Sequence, residues 1–134
     1  MVNYAAILVS GILAMVIGAL WYGPVFGKLW MKLADISQRQ IEDGKKKGMA
    51  KNYVITFLGT LVMSYVLALF IGYSGLTSFL GGMQIGFMAW IGFLATTMIG
   101  MILWEGKSLK LYLLNVLHYF VVLLLIGGIL AVWT

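Results

Sequence analysis

The chain has 134 residues, of which 63% are hydrophobic and only 10% are charged. Soluble domains carry about 25% charged residues, so this composition excludes an ordinary soluble domain and predicts a single membrane domain over 1–134. The net charge is +5, but the basic residues cluster beside apolar stretches, which favours lipid contacts over nucleic acid. The absence of cysteine excludes disulfides, thiolate metal sites and cysteine nucleophiles.

Four apolar stretches are each long enough to cross the hydrocarbon core, since about 20 residues at 1.5 Å each span about 30 Å. Gly23-Pro24 is expected to end the first, because proline lacks the amide proton that a helix needs. The first stretch is too long for a cleavable signal peptide and should remain as a span. The sequence therefore predicts an all-α membrane protein with four transmembrane helices in a bundle, at about 3–22, 53–73, 79–104 and 109–133.

The connection at 28–51 holds seven of the nine Lys and Arg residues. Apolar residues on one face of 25–34 predict a short amphipathic helix lying in the membrane interface. Ser37 and Gln40 have the spacing of a capping box, which predicts a second short helix ended by Gly44 or Gly48. The polybasic run Lys45, Lys46 and Lys47 either is topological charge in a solvated loop or attracts anionic lipid headgroups.

The charge distribution also predicts an orientation. With four spans, both charged connections, 28–51 and 105–110, lie on one side of the membrane, and they contain all nine basic residues. The positive-inside rule assigns that side to the cytoplasm. We therefore expect a multi-pass protein of the cell inner (plasma) membrane with both termini outside.

Polar side chains within the apolar stretches are the candidate site, because a polar group in hydrocarbon is costly unless it is hydrogen-bonded or has a function. Counting residues along the spans predicts a polar layer in the cytoplasmic third of the membrane, formed by Thr60, Thr96, Thr97, Asn115 and His118. Trp90 is predicted nearer the midplane, too deep for an interfacial belt residue. The layer either lines a small cavity with a proton-responsive histidine or hydrogen-bonds the helices together.

Several chemistries find no support in the residues. No carboxylate falls within a predicted span, the chain has one histidine, and no nucleophile–base pair can be named. We therefore expect no enzymatic activity, no catalytic residues, no cofactor and no metal site.

Small residues recur every four positions on the spans, as in Gly82-x-x-x-Gly86 and the stripe Gly92, Thr96 and Gly100. Such stripes let helices approach closely. They favour an assembly protein, either a homo-oligomer or an accessory subunit. The alternative is a small-solute or ion channel or transporter that uses the polar layer around Asn115 and His118.

A series of motifs is spread over nearly the whole chain. It consists of Trp21-Tyr-Gly-Pro, Phe26-Gly-Lys-Leu-Trp-Met, Gly86-x-x-x-Trp90-x-Gly-Phe and Asn115. In these motifs the chain resembles a small bacterial membrane family, domain of unknown function seventeen sixty-one. The resemblance implies four helices and an inner-membrane location, and leaves the activity open.

Overall fold

The computed structural model describes residues 2–133, and within them the regular structure is helical, with no strand. The α-helices are α1 (Tyr4–Leu20), α2 (Gly27–Leu33), α3 (Gln38–Lys47), α4 (Ala50–Ser74), α5 (Phe79–Ala89), α6 (Gly100–Leu103) and α7 (Leu109–Val132). Four helical segments of these residues are long and apolar enough to span a membrane. These first to fourth spans are Tyr4–Val25, Ala50–Ser74, Phe79–Leu103 and Leu109–Val132, which confirms the four predicted segments.

Gly23-Pro24 bends the first span rather than ending it at residue 22. A π-helical turn, Trp21–Val25, continues α1 past the proline, and Gly23 within it has the non-helical angles φ −110° and ψ −106°. The wide turn closes by a hydrogen bond of 2.9 Å from the Phe26 amide to the Trp21 carbonyl. This turn accommodates Pro24, whose missing amide would interrupt an ordinary α-helix.

The α2 helix follows at once, and its first residue must be small. A Cβ atom added to Gly27 would lie 2.8 Å from the Tyr22 carbonyl oxygen, closer than carbon and oxygen can approach. Glycine therefore lets the chain fold back against the turn it has just left. The α2 helix contacts both that turn and α7, and so lies beside the end of the first span.

The α3 helix is the polar helix that the capping box predicted. The Gln40 amide donates to Ser37 Oγ at 3.1 Å, and the Ser37 amide donates to Gln40 Oε1 at 2.7 Å. The helix is followed by Gly48, whose positive φ of 89° suits glycine. None of the extensive helix contacts in residues 2–133 involves α3.

The third span is not one continuous α-helix. After α5 comes a second π-helical turn, Trp90–Ala95, then a 3₁₀ turn, Thr97–Ile99, and then the single turn of α6. The segment contains no proline, although Gly92 and Gly100 lie within it, and these turns were not predicted. Because π and 3₁₀ turns rotate the chain by other angles than an α-helix, they redirect every side chain that follows.

The α7 helix lies at the centre of the packing and contacts α1, α4 and α5. Its residues Val122 and Ile126 are buried together with Ala6 and Leu67. The closest approach is to α5, where a Cβ added to Gly82 would collide with the Gly127 carbonyl oxygen and one on Gly86 with that of Leu123. These two helices therefore pack backbone against backbone, as small-residue spacing permits.

Candidate functional site

Two tryptophans from different spans donate hydrogen bonds to one segment of α7. Trp21 Nε1 donates to the Leu114 carbonyl at 3.0 Å, and Trp90 Nε1 donates to the Val116 carbonyl at 2.6 Å. Each tryptophan is the first residue of a π-helical turn. The turn at Trp90 is of a rare kind that often occurs at functional sites, whereas the turn at Trp21 is kinked at Gly23. We call residues Leu114–His118 the α7 polar segment.

Asn115 in this segment has a partner from the first span. The Tyr22 hydroxyl donates to Asn115 Oδ1 at 2.7 Å, across a sequence separation of 93 residues. Because Tyr22 belongs to the π turn, this hydrogen bond ties the end of the first span to α7. We call it the Tyr22–Asn115 bond.

His118 completes the segment and is enclosed by aromatic rings. Its side chain is 8% exposed, and its ring centroid lies 4.7 Å from that of Tyr119, 5.1 Å from Tyr22 and 6.1 Å from Trp21. Neither ring nitrogen has a hydrogen-bond partner among the described residues. Most buried polar side-chain atoms are hydrogen-bonded, so this imidazole is an exception within an otherwise paired site.

Gly18 on α1 lies against the His118 ring. A Cβ atom built there would lie 3.4 Å from His118 Nε2. Two of the nearby donors are engaged elsewhere, since the Trp21 indole bonds Leu114 and the Tyr22 hydroxyl bonds Asn115. The enclosure is therefore apolar and aromatic, and it suits a neutral imidazole.

The family model described as "Protein of unknown function (DUF1761)" matches residues 5–131. The chain belongs to this family. No curated protein and no solved structure matched the chain. Trp21, Tyr22, Trp90 and Asn115 belong to the motifs by which the chain resembles the DUF1761 family, and the structure brings them together on the α7 polar segment.

The three predicted threonines lie apart from this segment. Thr96 and Thr97 are exposed and donate to carbonyls of their own helix, those of Gly92 at 2.8 Å and of Phe93. Thr60 donates to the Phe57 carbonyl at 2.7 Å and contacts Gly11 of α1. Gly11 is seven residues from Gly18, or about 10 Å along α1. Of the predicted layer, Asn115 and His118 lie in the segment. Trp90, which was predicted separately, contacts the segment.

Tyr22 and Trp21 were missed as site residues because aromatic side chains at the end of a span are typical of an interfacial belt. Their position in the most specific motif, beside Gly23-Pro24, was the available signal. Aromatic packing extends the site into α2, with ring centroids 4.7 Å apart for Trp21 and Phe26 and 5.5 Å apart for Tyr22 and Trp30.

The remaining candidate residues lie in the polar connection. Lys45, Lys46 and Lys47 form the last turn of α3, and all three are exposed. In residues 2–133 no group of three or more His, Asp or Glu side chains is placed to hold a metal ion. The site that the structure builds is thus an aromatic and amide site around one histidine.

Proposed function

We propose that the protein acts by assembly in the membrane, as a homo-oligomer or as the accessory subunit of a larger complex. The observation that carries this proposal is an uncovered small-residue face on the third span. Gly92 and Thr96 are both exposed, and no atom lies within 4 Å of a Cβ built on Gly92. Gly82 and Gly86, in contrast, are already in contact with α7. Small residues facing lipid favour the close approach of another helix.

A cleft beside the exposed face of Gly92 and Thr96 also supports assembly. The α4 and α5 helices follow one another in sequence but make few contacts, and between them lies a cleft of about 440 Å³ lined by Phe70, Tyr73, Met88 and Phe93, among others. Phe93 is the direct neighbour of Gly92. A helix of a second copy seated on the third span would cover the glycine and part of the cleft together.

The test replaces one exposed glycine at a time. Gly92→Leu places a bulky side chain on the proposed interface, whereas the matched control Gly59→Leu does so on α4, where Gly59 also has no atom within 4 Å. We expect a discrete oligomer for the unchanged protein in native mass spectrometry from membranes. Gly92→Leu should shift it towards monomer, and Gly59→Leu should leave it unchanged.

Two results would contradict the assembly proposal. One is an unchanged protein that cross-links to nothing, neither a second copy nor another protein, in native membranes. The other is an oligomer that tolerates Gly92→Leu and Gly59→Leu equally, since the third span would then not be its interface.

We further propose that the four spans form a bundle in the inner membrane with residues 28–51 in the cytoplasm and both termini outside. All nine basic residues fall in two connections on that side. Because the chain has no cysteine, single cysteines can report topology. An impermeant maleimide added to intact cells should label Thr77→Cys and leave Lys46→Cys unlabelled, and the reverse pattern would contradict this orientation.

Two lipid contacts belong to the same proposal. The α2 helix would lie in the interface, with exposed Leu29 towards lipid and exposed Lys28 and Lys32 towards headgroups. Lys45, Lys46 and Lys47 would attract anionic headgroups, each contributing about 1 kcal/mol near the surface. Replacing these three lysines by Gln should reduce the anionic lipid retained in native mass spectrometry, and unchanged retention would argue against the contact.

The second candidate function is transport of a small solute or ion, which the buried and unpartnered His118 beside Asn115 favours. A liposome flux that His118→Ala and Asn115→Ala leave unaltered would remove this motive. We propose no enzymatic reaction, because no nucleophile–base pair is apparent among the site residues.

A further inference from the structure

We propose that His118 is a proton-sensitive switch. In this proposal the neutral imidazole keeps the Tyr22–Asn115 bond closed, and the protonated imidazolium opens it. The proposal goes beyond assembly, because it assigns a regulatory state to a monomer and does not depend on the number of subunits.

Within residues 2–133, the enclosure of His118 offers no hydrogen-bond acceptor to a protonated ring. An imidazolium has two N–H donors, but neither ring nitrogen of His118 has an acceptor among the described residues. A buried charge that is neither paired nor hydrogen-bonded is strongly disfavoured. This enclosure therefore favours the neutral form of the His118 ring over the protonated form.

No neighbouring helix offers a negative charge to a protonated His118. The titratable side chains facing His118 are Tyr22 from the first span and Tyr119 from α7 itself. The α1, α4, α5 and α7 helices contain no Asp or Glu. The charged residues on the packed elements are all lysines, with the same sign as an imidazolium, and all are exposed: Lys28 and Lys32 on α2, Lys51 on α4 and Lys110 on α7.

Tyr22 connects the His118 ring to the Tyr22–Asn115 bond. Tyr22 packs its ring 5.1 Å from His118 and uses its hydroxyl to bond Asn115. Asn115 and His118 are three residues apart and so share a face of α7. A charged ring that leaves the enclosure for the polar side of the membrane must displace the tyrosine that covers it. The Tyr22–Asn115 bond then breaks.

Gly23 can serve as a hinge between Tyr22 and α2. Gly23 follows Tyr22 directly, has non-helical backbone angles and has no atom within 4 Å of a Cβ position. Hinges are a few residues that absorb changes in φ and ψ. The displaced Tyr22 ring would press on Trp30 of α2, since their ring centroids lie 5.5 Å apart. Rotation at Gly23 would then carry Val25 and α2 away from α7 without disturbing α1.

The experiment measures the distance between the end of the first span and α7. Spin labels on Val25→Cys and Leu113→Cys, both exposed in the structure, report it by pulsed electron paramagnetic resonance in liposomes. Between pH 8 and pH 4, we expect the mean distance to increase. This range extends below the one in which a free histidine gains its proton, because the enclosure disfavours the charged ring. The same labels on a His118→Phe background should show one distance at both pH values.

A second measurement needs no change at His118. The chain has one histidine, so ¹⁵N-histidine labelling gives the ring signals of His118 alone by solid-state NMR in bilayers. We expect the ring to protonate over the same pH range in which the spin-label distance changes. A ring that stays neutral from pH 8 to pH 4 would overturn the proposal. So would a ring that protonates without a change in distance, or an equal change in the His118→Phe protein.

Discussion

The two faces of α7 are held by opposite kinds of contact. Towards α5, the glycines Gly82 and Gly86 bring backbone against backbone. Towards the first span, contact is made by the side chains of Trp21 and Tyr22, which reach α7 from a π turn. A backbone contact leaves no rotatable group to adjust, whereas a side-chain contact on a bent segment can open. The α5 face therefore serves as a fixed support, and the face towards the first span is the one suited to change.

The largest expected effect is on the α5 face. Gly82→Ala puts a methyl group into the Gly127 carbonyl, and overpacking of this kind costs about 1–3 kcal/mol. Gly92→Ala is the matched control, because it adds the same methyl group where no atom lies within 4 Å. Unfolding by SDS in mixed micelles should show Gly82→Ala strongly destabilised and Gly92→Ala nearly unchanged. Equal unfolding midpoints would refute the backbone contact.

A smaller effect is expected on the face towards the first span. Tyr22→Phe and Asn115→Ala each remove the Tyr22–Asn115 bond. Hydrogen bonds between membrane helices contribute about 0.6 kcal/mol on average and at most about 1.7 kcal/mol. A double-mutant cycle of the free energy of unfolding should give a coupling in that range. Full additivity of the two changes would show that the bond does not form.

The smallest effect is expected for Thr97, whose hydroxyl makes no hydrogen bond to α7. Its hydroxyl donates to the Phe93 carbonyl of its own helix, and the side chain is exposed. Thr97→Val should therefore change the free energy of unfolding by less than about 0.5 kcal/mol, as exposed substitutions usually do. A loss comparable to that of Asn115→Ala would instead place Thr97 in a shared polar network.

The four spans and the α3 cap could be read from the sequence, because both depend on local signals. Span length follows from an apolar run, and the Ser37–Gln40 cap follows from spacing. The π turns depend on tertiary contacts made by Trp21 and Trp90 with α7, which no local pattern encodes. Gly23-Pro24 predicted a break but not the continuation of the span through it.

The predicted site residues also differ in whether they lie on a regular helix. Asn115 and His118 lie on an uninterrupted α-helix, so residue counting along the span was valid. Thr96 and Thr97 follow and enter turns of different pitch, so counting at 1.5 Å per residue no longer gave their depth or direction. The direction of Tyr22 depends on the bend at Gly23, which the sequence did not specify.

The isolation of α3 has a practical consequence. The helix caps its own amino terminus and makes no extensive contact with the other described helices, and exposed segments of this kind tolerate insertions. A rigid soluble domain fused after Gly48 would leave the four spans unchanged. It would also give this 134-residue chain the additional mass and the orientation marker that single-particle electron microscopy needs.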